Sequence, residues 1–213
     1  MTSLPWVLLA AAGVAMLVDW FAVARRRTAL EYVAKPGVIA LLIGVAVTTA
    51  PTGGPLPVWF LAGLACALVG DILLVGERWF LPGLAAFLGT QLCYLAGLAQ
   101  AAGSTTGLLL GAGVVALALP ALGGPLLRAV SRGPERVMTV PVAVYMLVVS
   151  GMVLTAAWTG SWLALAGALL LYLSDTILGF ARFVRRRPWS ELALTVTYHL
   201  GQAMLVLALP GLV

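Results

Sequence analysis

The 213-residue sequence is short of everything a water-facing surface is made from. Only 9% of its residues are charged, and histidine occurs once. Soluble domains carry about 25% charged residues, so this chain has too few to coat a globule. Two cysteines exclude a disulfide scaffold. A catalytic zinc site wants three nitrogen, sulfur or carboxylate ligands, and the lone histidine leaves it poorly supplied. There is no G-x-S-x-G elbow and no phosphate-cradling glycine loop, which disfavours serine-hydrolase chemistry. What is abundant is apolar. Hydrophobic residues make up 62% of the chain and the mean hydropathy is +1.10, which excludes disorder. A formal net charge of +5 in so apolar a chain sets orientation in a membrane rather than marking a nucleic-acid partner. The composition describes an all-α polytopic membrane protein.

A membrane-crossing helix needs about 20 apolar residues. The chain offers eight such stretches, at 4–24, 36–50, 57–76, 80–101, 106–122, 137–158, 161–181 and 190–212. They are continuous apolar runs without the alternation of a β-barrel wall. Pro36 reads as the start of the second span, where its missing N–H would have lacked a partner anyway. Gly123-Gly124-Pro125 reads as the breaker that ends the fifth. The connections are short, so residues 1–213 are expected to form a single transmembrane helical domain.

All 12 Lys and Arg fall in alternate connections: Arg25, Arg26, Arg27 and Lys35, then Arg78, then Arg128, Arg132 and Arg136, then Arg182, Arg185, Arg186 and Arg187. The positive-inside rule makes those connections cytoplasmic and puts both termini outside. The first span lacks the basic start of a cleaved signal peptide and is read as retained. A single lysine among those basic residues, with abundant Ala and Gly, suggests a bacterial chain, and hence the cytoplasmic (plasma) membrane. Trp6, Trp59, Trp79, Trp158, Trp162 and Trp189 sit near span ends as an aromatic belt. Gly107 and Gly111 form a small-xxx-small pair for close helix packing. Cys66 and Cys93 read as small buried hydrophobes.

Ionisable groups inside spans are costly and face a bundle interior or a water-filled cavity. Asp19, Asp71 and Asp175 each precede a basic anchor by six or seven residues, which places all three roughly 9–11 Å inward of it. Lys35 opens the second span on the same side. Tyr145 lies slightly deeper, and Gln91, Tyr94, Tyr198, His199 and Gln202 deeper still. Each also has a structural reading. The acids could form ion pairs or interhelical hydrogen bonds, the tyrosines could pack, and His199 reads first as a hydrogen-bonded packing residue. The chemistry this set could perform is acid–base work by carboxylates in a pocket open to the inner leaflet, with no metal or cofactor.

Several of these residues come in a recognisable order. Lys35-Pro36 is followed by Gly70-Asp71 with Leu73-Leu74, then Gly83-x3-Phe87 with Tyr94. Tyr145, Ser174-Asp175 with Leu178, and Tyr198-x3-Gln202 complete the series. The set resembles the YhhN family of eight-span proteins, whose animal members are lysoplasmalogenases. One departure is Gln91, where family members commonly carry His; Gln can hydrogen-bond but cannot shuttle a proton. The resemblance implies hydrolysis of the vinyl ether bond of a lysoplasmalogen, with a lysophospholipid substrate taken from the surrounding membrane lipids. Asp71 and Asp175 would be the acid and base. Asp19, Lys35, Tyr94, Tyr145, Ser174, Tyr198 and Gln202 would hold substrate, water or charge around them. The competing expectations are a proton-coupled transporter and a non-catalytic lipid-binding protein, since an intramembrane Asp cluster would serve either.

Overall fold

A computed structural model of the chain describes residues 3–50, 53–75 and 79–212, and among these it contains nine α-helices and no strand. They are α1 (Leu4–Ala24), α2 (Thr28–Thr49), α3 (Leu56–Leu74), α4 (Phe80–Leu98), α5 (Thr105–Ala118), α6 (Gly124–Arg132), α7 (Thr139–Trp158), α8 (Trp162–Phe183) and α9 (Ser190–Ala208). By length and composition they supply eight membrane spans, α5 and α6 together forming the fifth, Thr105–Arg132. The protein is a multi-pass membrane protein. Gly76, the expected end of the third span, and Arg78, its basic anchor, lie outside the described residues.

Two span boundaries differ from the sequence reading. The second helix begins at Thr28 rather than at Pro36, because Arg26 takes a left-handed turn (φ 54°) and the helix restarts almost at once. Thr28, Glu31 and Lys35 dilute the hydropathy of these first turns and hide them in a profile. Pro36 therefore sits inside α2. The hydrogen bond it cannot make is tolerated in a membrane helix, where neighbouring groups satisfy the freed backbone. The fifth span likewise does not end at Gly123-Gly124-Pro125. Leu119–Gly123 form a π turn, both glycines keep right-handed helical dihedrals, and α6 continues from there. Pro125 falls in the first turn of α6, directly after the π turn, so the bond it cannot make falls where the helical ladder already changes register. Glycine permits a break without compelling one.

Other boundaries follow ordinary capping chemistry. The Ser104 hydroxyl accepts from the Gly107 N–H at 3.0 Å and the Ser161 hydroxyl from the Ala164 N–H at 3.3 Å, starting α5 and α8. Consecutive helices pack as the pairs α1/α2, α3/α4 and α8/α9. Helix α7 joins α4 to α8, and α9 reaches back to α1 and α2. Helix α9 is the innermost span, half buried, whereas only 17% of the fifth span is buried.

Small residues set the closest approaches. A Cβ on Gly107 would lie 2.1 Å from the Ala157 carbonyl oxygen and one on Gly111 would lie 2.6 Å from the Ala157 Cβ, so this pair is the α5–α7 contact. Gly167 and Gly201 do the same for α8 and α9: a Cβ on either would be 2.9 Å from the other's carbonyl oxygen. Trp6, Trp59, Trp79, Trp162 and Trp189 are exposed, whereas Trp158 is half-buried with its ring against Gly103. Cys66 and Cys93 are partly exposed free thiols rather than buried ones.

Candidate active site

The polar residues picked out of the spans gather into two groups. The first surrounds Asp175, two turns before the end of α8. Gln91 of α4 donates from Nε2 to Asp175 Oδ2 at 2.7 Å. The buried hydroxyl of Tyr145, from α7, faces the same two side chains without a well-formed hydrogen bond of its own. Asp175 is only partly buried, because it opens onto a narrow crevice with a cavity of about 30 Å³ between α4, α6, α7 and α8. The walls are apolar, with Leu84, Leu126, Met146 and Leu178 among them, and Tyr145 and Asp175 are the polar side chains that line it.

The crevice has an aromatic and charged rim. Phe80 and Phe183 line it and meet nearly edge to face at 6.2 Å. The Arg182 guanidinium lies over both rings, 4.9 Å from the centroid of Phe80 and 5.5 Å from that of Phe183. Arg182 also pairs with Glu135, just beyond α6, at 2.7 Å.

The second group is sealed. Asp71 of α3 is fully buried and accepts a hydrogen bond from the Tyr198 hydroxyl at Oδ2, 3.1 Å away. Phe87 meets the Tyr198 ring edge to face at 5.5 Å. One turn along α9, Gln202 accepts from the Tyr94 hydroxyl at 2.5 Å. Asp19, also fully buried, has His199 Nε2 at 3.9 Å, and the Trp20 indole N–H donates to His199 Nδ1 at 3.2 Å. Lys35 is buried within electrostatic reach of Asp19, Asp71 and His199. Among the described residues it makes no direct ion pair, so Asp19 faces His199 rather than bonding Lys35. Ser174 donates to the Leu194 carbonyl at 3.1 Å and ties α8 to α9 rather than reaching either carboxylate.

Both oxygens of Asp19, Oδ1 of Asp71, Nε2 of Gln202 and Nε2 of His199 are buried without a hydrogen-bond partner. Buried polar atoms are partnered in the great majority of cases, so this concentration sets the interior apart from an ordinary apolar core. Asp71 and Asp175 share no hydrogen bond; Tyr198 lies beside the first and Tyr145 beside the second. Among the described residues, no three His, Cys, Asp or Glu side chains converge as a metal site. The sequence flagged Gln91 as polar without revealing its partner, 84 residues away. It passed over Trp20, and treated Arg182 only as an anchor for membrane orientation.

Comparison with known proteins points in one direction. Residues 30–209 match the YhhN family. The chain is 31% identical to human lysoplasmalogenase TMEM86B over 173 residues, 80% of this chain and 71% of that protein. It is 35% identical to the mouse lysoplasmalogenase TMEM86B over 162 residues, 72% of this chain and 66% of the mouse protein. A lysoplasmalogenase of Mycobacterium tuberculosis is 31% identical over 159 residues, 68% of this chain and 58% of its own length. No solved structure matches the chain.

Proposed function

The chain belongs to the YhhN family, and from that premise we propose that it is a membrane-embedded lysoplasmalogenase. It would hydrolyse the vinyl ether of a lysoplasmalogen to a fatty aldehyde and a glycerophospho-alcohol. The observation that carries this reading is Asp175, a carboxyl group held by Gln91 at the polar end of an apolar crevice. A single-chain lipid entering past Phe80 and Phe183 would bring its ether linkage to Asp175.

A vinyl ether is cleaved by protonating its outer alkene carbon. The carboxyl form of Asp175 gives up its proton there, the carbon–carbon double bond becomes the new C–H bond, and an oxocarbenium ion forms beside the resulting carboxylate. Water then adds to the carbon bearing oxygen, and the carboxylate takes the proton that water loses. The hemiacetal collapses to aldehyde and alcohol, one water having been consumed and the carboxyl restored. Glycosidases use one carboxyl as acid and then base around a similar cation. Gln91 would hold Asp175 in position and Tyr145 would orient water or the ether oxygen.

Asp71 would be the second carboxylate of the reaction, acting from the sealed interior through Tyr198 and supported by Lys35 and Asp19, while Tyr94 and Gln202 keep α4 and α9 in register around it. In this reading the whole chain is one helical domain of a bacterial cytoplasmic membrane. The Arg-rich connections face the cytoplasm and the termini lie outside, so substrate approaches from the inner leaflet. The test is aldehyde release from 1-alkenyl-lysophosphatidylethanolamine by purified protein, beside Asp175→Asn and Asp71→Asn. Folded wild type that releases no aldehyde would sink the reading, and proton flux in liposomes from the same preparation would put transport in its place.

A further inference from the structure

Resting on that reading, we infer that Arg182 and Glu135 form a clamp for a zwitterionic phospholipid headgroup, Arg182 taking the phosphate and Glu135 the ammonium. Three features carry it.

The first is position. Arg182 and Asp175 are seven residues apart on α8, which puts them on one face, two turns and roughly 10 Å apart along the axis. In a lysoplasmalogen the alkene carbon that is protonated lies seven bonds from phosphorus. At roughly 1.2 Å of extended reach per bond this is about 8–9 Å. A lipid whose alkene meets Asp175 in the crevice therefore brings its phosphate to the level of Arg182.

The second is preorganisation. Most exposed arginines lose side-chain freedom on capturing an anion. Here the guanidinium already lies over Phe80 and Phe183, two walls of the crevice that leads to Asp175. Stacking on aromatic faces leaves the guanidinium N–H groups available for a phosphate, which Arg can grip with two parallel hydrogen bonds.

The third is exchangeability. The Arg182–Glu135 pair is about 40% exposed on both sides, and exposed pairs contribute only about 0–1 kcal/mol. A phosphate can displace the carboxylate at small cost. The carboxylate it releases then has a cation to meet, because the ethanolamine or choline nitrogen lies four bonds beyond phosphorus. The resting ion pair is thus the complement of the zwitterion: each charge is held by its partner until the lipid supplies both replacements. Glu135 lies three residues beyond the end of α6, whose Leu126 lines the same crevice, so the proposed headgroup contact and one crevice wall belong to neighbouring parts of the chain.

The experiment is a binding comparison with three saturated ethers that cannot be cleaved: a 1-O-alkylglycerol, its phosphate, and its phosphoethanolamine. Full-length protein in nanodiscs is titrated with each, and the differences between lipids are read. Wild type is expected to bind the phosphoethanolamine best and the alkylglycerol worst. Arg182→Ala should cost both phosphate-bearing lipids about tenfold relative to the alkylglycerol, as expected for a lost charge-assisted contact. Arg182→Lys should recover part of that, since an ammonium still attracts phosphate as a point charge. Glu135→Gln should narrow the gap between phosphoethanolamine and phosphate, while the gap between phosphate and alkylglycerol stays or widens because the phosphate no longer displaces a carboxylate. Unchanged gaps in both Arg182→Ala and Glu135→Gln, or an equal weakening of all three lipids in Arg182→Ala, would overturn the clamp. Because no chemistry is needed, the two readings separate. A wild type with this ranking that releases no aldehyde from a vinyl ether keeps the clamp and loses the proposed reaction. Aldehyde release with an Arg182→Ala ranking like wild type does the reverse.

Discussion

Asp175 and Asp71 are carboxyls on two helices of the same bundle, yet their surroundings are opposite. Asp175 faces a crevice, takes an amide hydrogen bond from Gln91 and is partly accessible. Asp71 has no exposed surface, takes a phenol hydrogen bond from Tyr198, and has Lys35 and Asp19 within electrostatic reach. One carboxyl can touch a lipid and the other can act only through neighbours. In the proposed reaction, access rather than residue type is what casts Asp175 as the reacting group and Asp71 as a supporting one.

The comparison can be broken most directly at Asp175. Asp175→Asn keeps the shape and the Gln91 contact but removes proton transfer, and aldehyde release should fall at least ~100-fold. Asp71→Asn should cost less, about tenfold, through a lost charge in the interior rather than a lost proton donor. Equal losses in single-turnover assays of the two variants would mean that both carboxyls meet the substrate and that the division into an open and a sealed group is wrong.

Tyr198→Phe sharpens the sealed side. It strips Asp71 of its hydrogen bond and should lower stability by about 1–3 kcal/mol, with turnover reduced only a few-fold. Thermal unfolding in detergent measures the first effect and initial rates the second; a turnover loss as large as that of Asp175→Asn would move Tyr198 into the reacting group. The smallest effect on turnover is expected far from both carboxyls. Gly107→Ala forces a methyl group against the Ala157 carbonyl and should destabilise by about 1–3 kcal/mol, while the folded fraction turns over at the wild-type rate. A changed rate per folded molecule would tie the α5–α7 contact to catalysis.

Much of the fold was legible because hydropathy reports span number directly. The same composition hid two boundaries, since polar residues at 28–35 and a Gly-Gly-Pro run resemble breaks even where the backbone stays helical. The candidate site was legible as a set of polar residues in apolar helices, and depth counted from the basic anchors put the acids at one level. Their partners were not legible. Nothing local links Gln91 to Asp175 or Asp71 to Tyr198, 127 residues away, and only helix packing decides which tyrosine meets which acid. Nor does anything local announce that His199, from the far end of the chain, comes within 3.9 Å of Asp19.

The meeting of Gly167 and Gly201 has a mechanical consequence. With no side chain between them, the two backbones touch, and Ser174 bonded to the Leu194 carbonyl fastens the same two helices two turns further along. Helices α8 and α9 are thereby riveted at two points and behave as one rail, with Asp175 mounted on it. Two such fastenings oppose a scissor motion of α8 against α9, so in the proposed reaction room for an arriving lipid is expected from the opposite wall. There the short α6 rests by Leu126 on Gly179, and the surface ion pair of Arg182 with Glu135 is the fastening beside it. In the proposed reaction it is therefore the wall facing Asp175, not the helix pair that carries it, that is expected to yield.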